Sequence, residues 1–277
     1  MHALYLLIGI LLLTAGGEAL IRGALGLANR LGVSPLLTGL VVVGFGTSTP
    51  ELIVSLDAAL SGEPDIAIGN VIGSNIANIL LILGLCALIT PLAVTPTALG
   101  RDAVVVILST LLYLLLAAGR VLSTSDGLMF LLGLGLYVGW AYLSEKDQSS
   151  PAAAMHTAEA SVPTHVPQSL LRASLTSLLG LGLLIGGSRV LLQGAVGLAQ
   201  SLGVSEALIG LTLVAVGTSL PELTISVVAA LRKQADVAVG NILGSNIFNL
   251  LGILGLSALV QPLTVSNRIH AFDQWVM

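Results

Sequence analysis

Long apolar stretches separated by short polar segments make up most of this chain. Several of them reach or exceed the roughly 20 residues that a helix needs to cross about 30 Å of hydrocarbon. The roughly 10-residue alternating segments typical of outer-membrane strands are not found. The pattern therefore predicts eight helical spans, at approximately 3–27, 36–60, 67–90, 99–118, 125–143, 168–198, 206–231 and 237–260.

The chain also repeats itself. Residues 32–91 align without a gap on residues 203–262 at a constant offset of 171, and 34 of the 60 aligned pairs are identical. Each half begins a five-helix pattern, and an odd number of crossings makes the second copy enter the membrane from the opposite face. We therefore expect an all-α, polytopic membrane protein with two inverted-topology repeats, 1–144 and 168–277, joined by a flexible cytoplasmic linker over 145–167.

The offset predicts how the second repeat ends. It carries Asp102, at the start of the fourth helix, onto Asp273, four residues before Met277. The second repeat is therefore expected to be truncated after helices 6–8 and the start of helix 9. The last two of ten expected helices are missing from this count.

Composition supports a membrane location. Hydrophobic residues make up 55% of the chain and charged residues only 9%, so lipid must cover most of the surface. We expect a multi-pass protein of a plasma membrane or bacterial inner membrane, and the distribution of Lys and Arg favours an N-terminus outside. The net charge of −4 gives no sign of a nucleic-acid partner.

Two glutamates carry the candidate chemistry. Glu51 and Glu222 occupy equivalent positions in the two repeats, inside segments apolar enough to cross a bilayer. A membrane-embedded glutamate costs a few kcal/mol on insertion scales, so it needs a partner, a water-filled cavity or a proton. Inverted repeats would bring the two carboxylates together near the midplane, where a cation between them would relieve their repulsion.

The residues around each glutamate favour a cation site. Pro50 and Pro221 directly precede the glutamates. Gly46 and Gly217 lie four residues before these prolines, and the two features together predict broken helices with free backbone carbonyls. Hydroxyl and amide groups recur on the same faces, and oxygen ligands of this kind suit Ca²⁺ and, on the same grounds, Na⁺. They are Thr47, Ser48, Thr218, Ser219, Ser74, Asn78, Ser245 and Asn249.

Each of these residues also has an ordinary structural interpretation. Small and polar residues in membrane helices usually serve packing and interhelical hydrogen bonds, and a lone intramembrane glutamate can be a salt-bridge or protonated packing residue. The recurrence of the whole set in both repeats favours a binding site. Asp57 has Val228 as its repeat partner, so symmetry does not support it, and we interpret it as a residue near a vestibule.

These residues also carry a family resemblance. The segments GFGTSTPELIVS and AVGTSLPELTIS, each followed by GN(V/I)(I/L)GSNI(A/F)N, resemble the two α-repeats of the calcium/cation antiporter superfamily, the sodium/calcium exchangers and their bacterial relatives. The resemblance implies ten helices in two inverted halves. It also implies that the second, third, seventh and eighth helices form the ion-binding core and that the long first and sixth helices slide across it.

The resemblance further implies a ligand set. Glu51 and Glu222 would be the central carboxylates, which bind Ca²⁺ and are shared with Na⁺. Around them it implies hydroxyl or carbonyl ligands from Thr47 and Thr218, flanking hydroxyls from Ser48, Ser219, Ser74 and Ser245, backbone carbonyls from Gly44 and Ala215, and middle polar positions at Asn78 and Asn249. Some members carry an aspartate where this chain has Asn249, so this site would hold two formal negative charges.

The expected function is exchange of Ca²⁺ for Na⁺ by alternating access, with both ions competing for the two glutamates. The transported ions would be the small-molecule partners, and we expect no cofactor, no catalytic residues and a monomer. A proton/calcium antiporter and a channel of the same fold remain alternatives. An intramembrane hydrolase would need an acid, a base and an oxyanion clamp, and no intramembrane His or paired Arg supplies them.

Overall fold

The computed structural model describes residues 2–32, 35–94, 96–146, 169–202 and 215–277, and nearly all of them are helical. The first half contains α1 (His2–Leu31), α2 (Pro35–Thr38), α3 (Phe45–Thr47), α4 (Thr49–Leu60), α5 (Pro64–Ile76), α6 (Gly84–Ile89), α7 (Pro96–Ala117) and α8 (Thr124–Lys146). The second half contains α9 (Leu170–Ser201), α10 (Ala215–Thr218), α11 (Leu220–Leu231), α12 (Ala235–Ile247), α13 (Leu254–Val260) and α14 (Gln274–Val276). Further π-helical segments are Gly39–Gly44, Ala77–Leu83, Phe248–Ile253 and Ile269–Asp273.

The spans agree with the hydropathy pattern. Within the described residues, six helices are long and apolar enough to cross a membrane, and a bent pair, Gly39–Thr47 with Thr49–Leu60, makes a seventh. The predicted span at 206–231 begins in residues outside the described part, and only its second portion, Leu220–Leu231, is a described apolar helix. The predicted linker at 145–167 also lies almost wholly outside the described residues.

A short β-ribbon is the one departure from an all-helical chain that the described residues contain. β1 (Val121–Leu122), between α7 and α8, pairs antiparallel with β2 (Leu263–Thr264), which follows α13. Leu122 and Leu263, a pair in the ribbon register, are both fully buried. The ribbon therefore ties the loop of the first repeat to the end of the second repeat's last long span.

The two longest helices, α1 and α9, pack against each other along a line of glycines. Gly9, Gly16 and Gly23 of α1 recur at the offset of 171 as Gly180, Gly187 and Gly194 of α9. A Cβ on Gly16 would lie 2.8 Å from the Leu184 nitrogen, and one on Gly187 would lie 2.9 Å from the Leu13 nitrogen. The backbones are thus in direct contact, as small residues permit in membrane helices.

The register of this contact gives the relation between the halves. Gly16 meets Leu184, whereas Gly23, further along α1, meets Ser177, which comes earlier in α9. The two equivalent helices are therefore antiparallel, as expected for inverted repeats.

We predict that Gly187→Ala destabilises the protein, whereas Gly186→Ala does not. Nothing lies within 4 Å of a Cβ at Gly186, whereas at Gly187 the added methyl would meet α1 backbone. Overpacking of this kind typically costs about 1–3 kcal/mol. Thermal unfolding in detergent should show a lower Tm for Gly187→Ala only, and equal Tm values for the two variants would contradict the backbone contact.

Candidate ion-binding site

The site is built around two helix breaks. Between α3 and α4, Ser48 leaves the helical conformation at φ −79 and ψ 11, and Ser219 does the same between α10 and α11 at φ −87 and ψ 8. Pro50 and Pro221 lie in the first turn after the breaks, where a missing N–H costs no helical hydrogen bond. The first break bends its span by 49°. The predicted discontinuous helices are thereby confirmed.

The two carboxylates meet through crossed hydrogen bonds. Glu51 and Glu222 are buried, with relative exposures of 0% and 1%. The hydroxyl of Ser219 donates to Oε1 of Glu51 at 3.2 Å, and the hydroxyl of Ser48 donates to Oε1 of Glu222 at 2.9 Å. Each glutamate therefore receives a hydroxyl from the break of the other repeat. The structure thus brings together the two acids that the sequence placed at equivalent positions.

Close backbone contact positions the second repeat against the first. A Cβ on Gly44 would lie 2.9 Å from the Ser245 nitrogen and 3.0 Å from the Asn241 oxygen, and one on Gly244 would collide with the Leu40 backbone. The π-helical segment Gly39–Gly44 therefore lies directly on α12. Only glycine permits this close approach. The contact places Asn241 and Ser245 of α12 beside the first break.

The threonines and the remaining hydroxyls lie around the carboxylates. Thr47 is fully buried, and its hydroxyl is 3.1 Å from Asn241 Oδ1 and 3.3 Å from the Gly44 carbonyl. It also lies beside Glu222, and Thr218 lies beside Glu51. Ser245 donates to the same Gly44 carbonyl at 3.1 Å. Ala215, the repeat equivalent of Gly44, is the first residue of α10.

Two asparagines complete the inner set. Asn78 lies in the π-helical segment Ala77–Leu83, and Asn249 lies in its equivalent, Phe248–Ile253. Both side chains are buried, and the Oδ1 atom of each has no hydrogen-bond partner. Local π-helical turns of this kind are frequent at functional sites, because they redirect a side chain without ending the helix.

A supporting role for a second pair of asparagines could not be assigned from the sequence. Asn70 donates to the Glu51 carbonyl at 3.1 Å and to Ser55 at 2.9 Å. Its repeat equivalent, Asn241, donates to the Glu222 carbonyl at 3.2 Å and to Ser226 at 2.8 Å. These bonds fasten α5 to α4 and α12 to α11 beside the glutamates. The signal was the recurrence of Asn70 and Ser55 at the same offset in both repeats.

The unsatisfied atoms of the site share one chemical character. Four buried atoms there have no hydrogen-bond partner, namely Glu51 Oε2, Glu222 Oε2, Asn78 Oδ1 and Asn249 Oδ1. All are oxygen acceptors, and two belong to carboxylates. Buried polar atoms are nearly always satisfied, so a cluster that lacks only donors or cations is suited to a positive ion. Among the described residues, no group of three or more His, Cys, Asp or Glu forms a different metal site.

A cavity of about 200 Å³ lies between α5 and α11, and Asn70, Ser74 and Ser219 line it. It reaches Glu51 through Ser219, which is hydrogen-bonded to that carboxylate. The equivalents of the first two residues in the second repeat, Asn241 and Ser245, are fully buried. Asp57 is exposed on α4, and no cavity described here includes it.

The two equivalent core spans differ in burial. In the most apolar window of the third span, Pro64–Ile89, 33% of the residues are buried, against 83% for its equivalent, Ala235–Val260. Helix α8 covers the second of these, because Gly127 lets it approach the Gly255 carbonyl, which would lie 2.7 Å from an added Cβ. The described residues contain no repeat equivalent of α8 that could cover Pro64–Ile89, which accounts for the difference in burial.

Comparison with known proteins identifies similar sequences. A family model described as sodium/calcium exchanger protein matches residues 1–143 and 173–277. The chain is 40% identical to the putative antiporter CaxA of Alkalimonas amylolytica, over 99% of this chain and 85% of that protein. It is 32% identical to the sodium/calcium exchanger MaX1 of Methanosarcina acetivorans, over 99% and 87%. The inner membrane protein YrbG of Escherichia coli is 38% identical, over 98% and 84%.

A solved structure has the same fold. The sodium-calcium exchanger NCX_Mj, in crystals soaked without Na⁺ and Ca²⁺, superposes with a TM-score of 0.83 at 31% identity. The match covers 99% of this chain and 87% of that one. The agreement extends over both repeats.

We predict that Ca²⁺ stabilises the purified protein through the two glutamates. An ion that binds only the folded state stabilises it by about 2.7 kcal/mol at a concentration of 100 times its Kd. The Ca²⁺-dependent rise in Tm should disappear in Glu51→Gln and in Glu222→Gln. Glu63→Gln, at an exposed acid in the turn between α4 and α5, is the control and should keep the rise. A rise that survives in both site variants would place the ion elsewhere.

Proposed function

The chain belongs to the sodium/calcium exchanger family, and we propose on that premise that it exchanges Ca²⁺ for Na⁺ at the Glu51–Glu222 site by alternating access. The family and the fold make it an integral membrane cation/Ca²⁺ antiporter and not an enzyme. The choice of Na⁺, the ligands and the transport cycle are our proposals.

The observation that carries the site assignment is the set of four open oxygen acceptors. Two carboxylate oxygens and two amide oxygens are buried without partners. We propose that they are ligands of Ca²⁺, together with Thr47 and Thr218. The flanking positions, where Na⁺ would bind, would be lined by Ser48, Ser219, Ser74, Ser245, Gly44 and Ala215. Ca²⁺ takes six to eight oxygen ligands at about 2.3–2.6 Å, and the four acceptors with the two threonines offer six.

Coupling follows from competition for charge. With Asn249 neutral, the two glutamates give the site two negative charges, which one Ca²⁺ neutralises. Sodium ions need the same carboxylates, so the two cargoes cannot occupy them together. An empty site leaves two buried carboxylates facing each other, and their repulsion disfavours a crossing without an ion. These two constraints together produce exchange.

Protons are the alternative counter-ion. A proton on each unpartnered Oε2 would also neutralise the pair without any metal. An H⁺/Ca²⁺ antiporter would therefore use the same two residues. The two functions differ only in which gradient drives Ca²⁺ movement.

We predict that vesicles containing the protein take up Ca²⁺ when a sodium gradient is imposed at constant pH. Glu51→Gln and Glu222→Gln should each lower the uptake rate at least tenfold, because each removes half of the site's charge, whereas Glu63→Gln should transport normally. Uptake that follows a pH gradient in sodium-free buffer, and ignores sodium, would establish the proton alternative. Uptake that continues in both glutamine variants would overturn the site.

The proposed conformational change moves the α1–α9 pair against the core. These two helices are held together by backbone contacts, so they would move as one unit. In this proposal the cavity between α5 and α11 is the route by which ions reach the site in the present state. By repeat symmetry, the opposite state would open the equivalent position beside Asn241 and Ser245.

An ion pair crosses the proposed sliding surface. Glu18 of α1 pairs with Arg232, just after α11, at 2.8 Å, and with Arg22 on its own helix at 2.7 Å. The side chains of Glu18 and Arg232 are 21% and 49% exposed, so the pair contributes modestly to stability. Because it joins a moving helix to the core, it favours the present state over the opposite one.

We predict that Glu18→Gln and Arg232→Gln shift the population away from the present state by a few-fold. A cysteine placed at Ala77, which lines the cavity, in a Cys86→Ala background reports this state through its rate of maleimide modification. Both variants should lower that rate. Arg22→Gln is the matched control, because it breaks only the bond within α1. Unchanged rates in both test variants would show that the pair does not bias the equilibrium.

We further propose that the protein lies in a plasma membrane or bacterial inner membrane as a monomer, with its N-terminus outside. The bias of Lys and Arg toward the predicted cytoplasmic segments supports this orientation.

A further inference from the structure

Asn75 and Asn246 have equivalent places in the repeats, and the ligand set leaves both without a role. They are 3% and 2% exposed. Oδ1 of Asn75 accepts a hydrogen bond from Nδ2 of Asn249 at 2.9 Å. Oδ1 of Asn246 accepts one from Nδ2 of Asn78 at 3.0 Å. Each residue therefore contacts the inner asparagine of the other repeat.

The direction of the first of these bonds is fixed by chemistry. Nδ2 of Asn75 donates to the backbone carbonyl of Asn246 at 3.3 Å and to the sulfur of Met277 at 3.8 Å. Both are acceptors, so the NH₂ end of Asn75 must face them. The oxygen of Asn75 is then directed at Asn249, so Asn249 must donate the hydrogen bond from its own NH₂ group. The Oδ1 of Asn249 is left on the other side, buried and without a partner.

We propose that Asn75 and Asn246 are positioning residues that hold Asn249 and Asn78 with their carbonyl oxygens toward the bound cation. The inference rests on the proposed function, since it needs an ion at the Glu51–Glu222 site. An amide can present either an oxygen or an NH₂ group, and the NH₂ group repels a cation. The two outer asparagines make this choice, so both inner amides contribute neutral oxygen ligands.

The arrangement separates this chain from a site with an aspartate at the inner position. A carboxylate presents an oxygen whichever way it turns, so it needs no neighbour to orient it. An asparagine at the same place does need one. The positioning contact is therefore specific to the amide, and this gives a test that a general packing role would not meet.

The test is a double-mutant cycle on Asn75 and Asn249 in the full chain. The apparent KM for Ca²⁺ in sodium-gradient uptake is measured for the parent, Asn75→Leu, Asn249→Asp and the double variant. Loss of a partner that orients a metal ligand typically costs about 10–100-fold in metal affinity. We expect Asn75→Leu to raise the KM about tenfold or more with Asn249 present, and less than about twofold with aspartate there. Equal increases in both backgrounds would overturn the proposal.

A second double-mutant cycle, on the equivalent residues of the other repeat, keeps the proposal testable if a variant of the first cycle does not fold. Asn246→Leu is measured with Asn78 and with Asn78→Asp, and the same non-additivity is expected. Monodispersity in detergent and Tm identify variants that have not folded, and for such a position Asn→Ala replaces Asn→Leu. Failure of the exchange function would appear as Ca²⁺ uptake that does not need Glu51. Failure of the positioning role would appear as additive effects while uptake still depends on Glu51.

Discussion

The burial of two facing carboxylates is the constraint on which the rest of this structure depends. Removing an ionised carboxylate from water costs several kcal/mol even after relaxation, and a second one nearby adds repulsion. Ser219 donates to Glu51 and Ser48 donates to Glu222, with Thr218 and Thr47 also beside them, and one oxygen of each glutamate has no partner. Among the described residues these two oxygens have no donor, which is why we propose that a cation or protons occupy the site.

The inverted repeat explains why neither half is sufficient. The hydroxyls that bind the two carboxylates and the amides of the inner asparagines cross from one repeat to the other, as from Ser48 to Glu222 and from Asn249 to Asn75. A change in how the two repeats pack together therefore changes the hydrogen-bond partners of both carboxylates at once.

Much of this arrangement could be predicted from the sequence. The apolar runs located the spans, and the offset of 171 singled out Glu51 and Glu222, because a repeated acid in an apolar segment is rare and costly. Pro50 and Pro221 marked the breaks that the structure has at Ser48 and Ser219. These features can be predicted because each has a local energetic cause: apolar side chains avoid water, a buried acid is costly, and a proline interrupts helical hydrogen bonding.

The remaining features depend on contacts that local sequence does not encode. The partners of Asn75 and Asn70 follow from which helices cross, and two asparagines in one motif give no indication of which faces an ion. The π-helical turns at Asn78 and Asn249 keep the same hydrophobic pattern as an α-helix, so hydropathy did not reveal them. Ser245 donates to the Gly44 carbonyl, whereas the corresponding contact of Ser74 is not described, because most of the repeat equivalent of Gly39–Gly44 lies outside the described residues.

The most direct test of the central claim is equilibrium binding of radioactive Ca²⁺ to the purified protein, with increasing Na⁺ as competitor. If both ions depend on the same pair of buried carboxylates, one Ca²⁺ should bind per chain, and Na⁺ should displace it completely. Binding that persists at saturating Na⁺, or that occurs with two Ca²⁺ per chain, would contradict a single shared site.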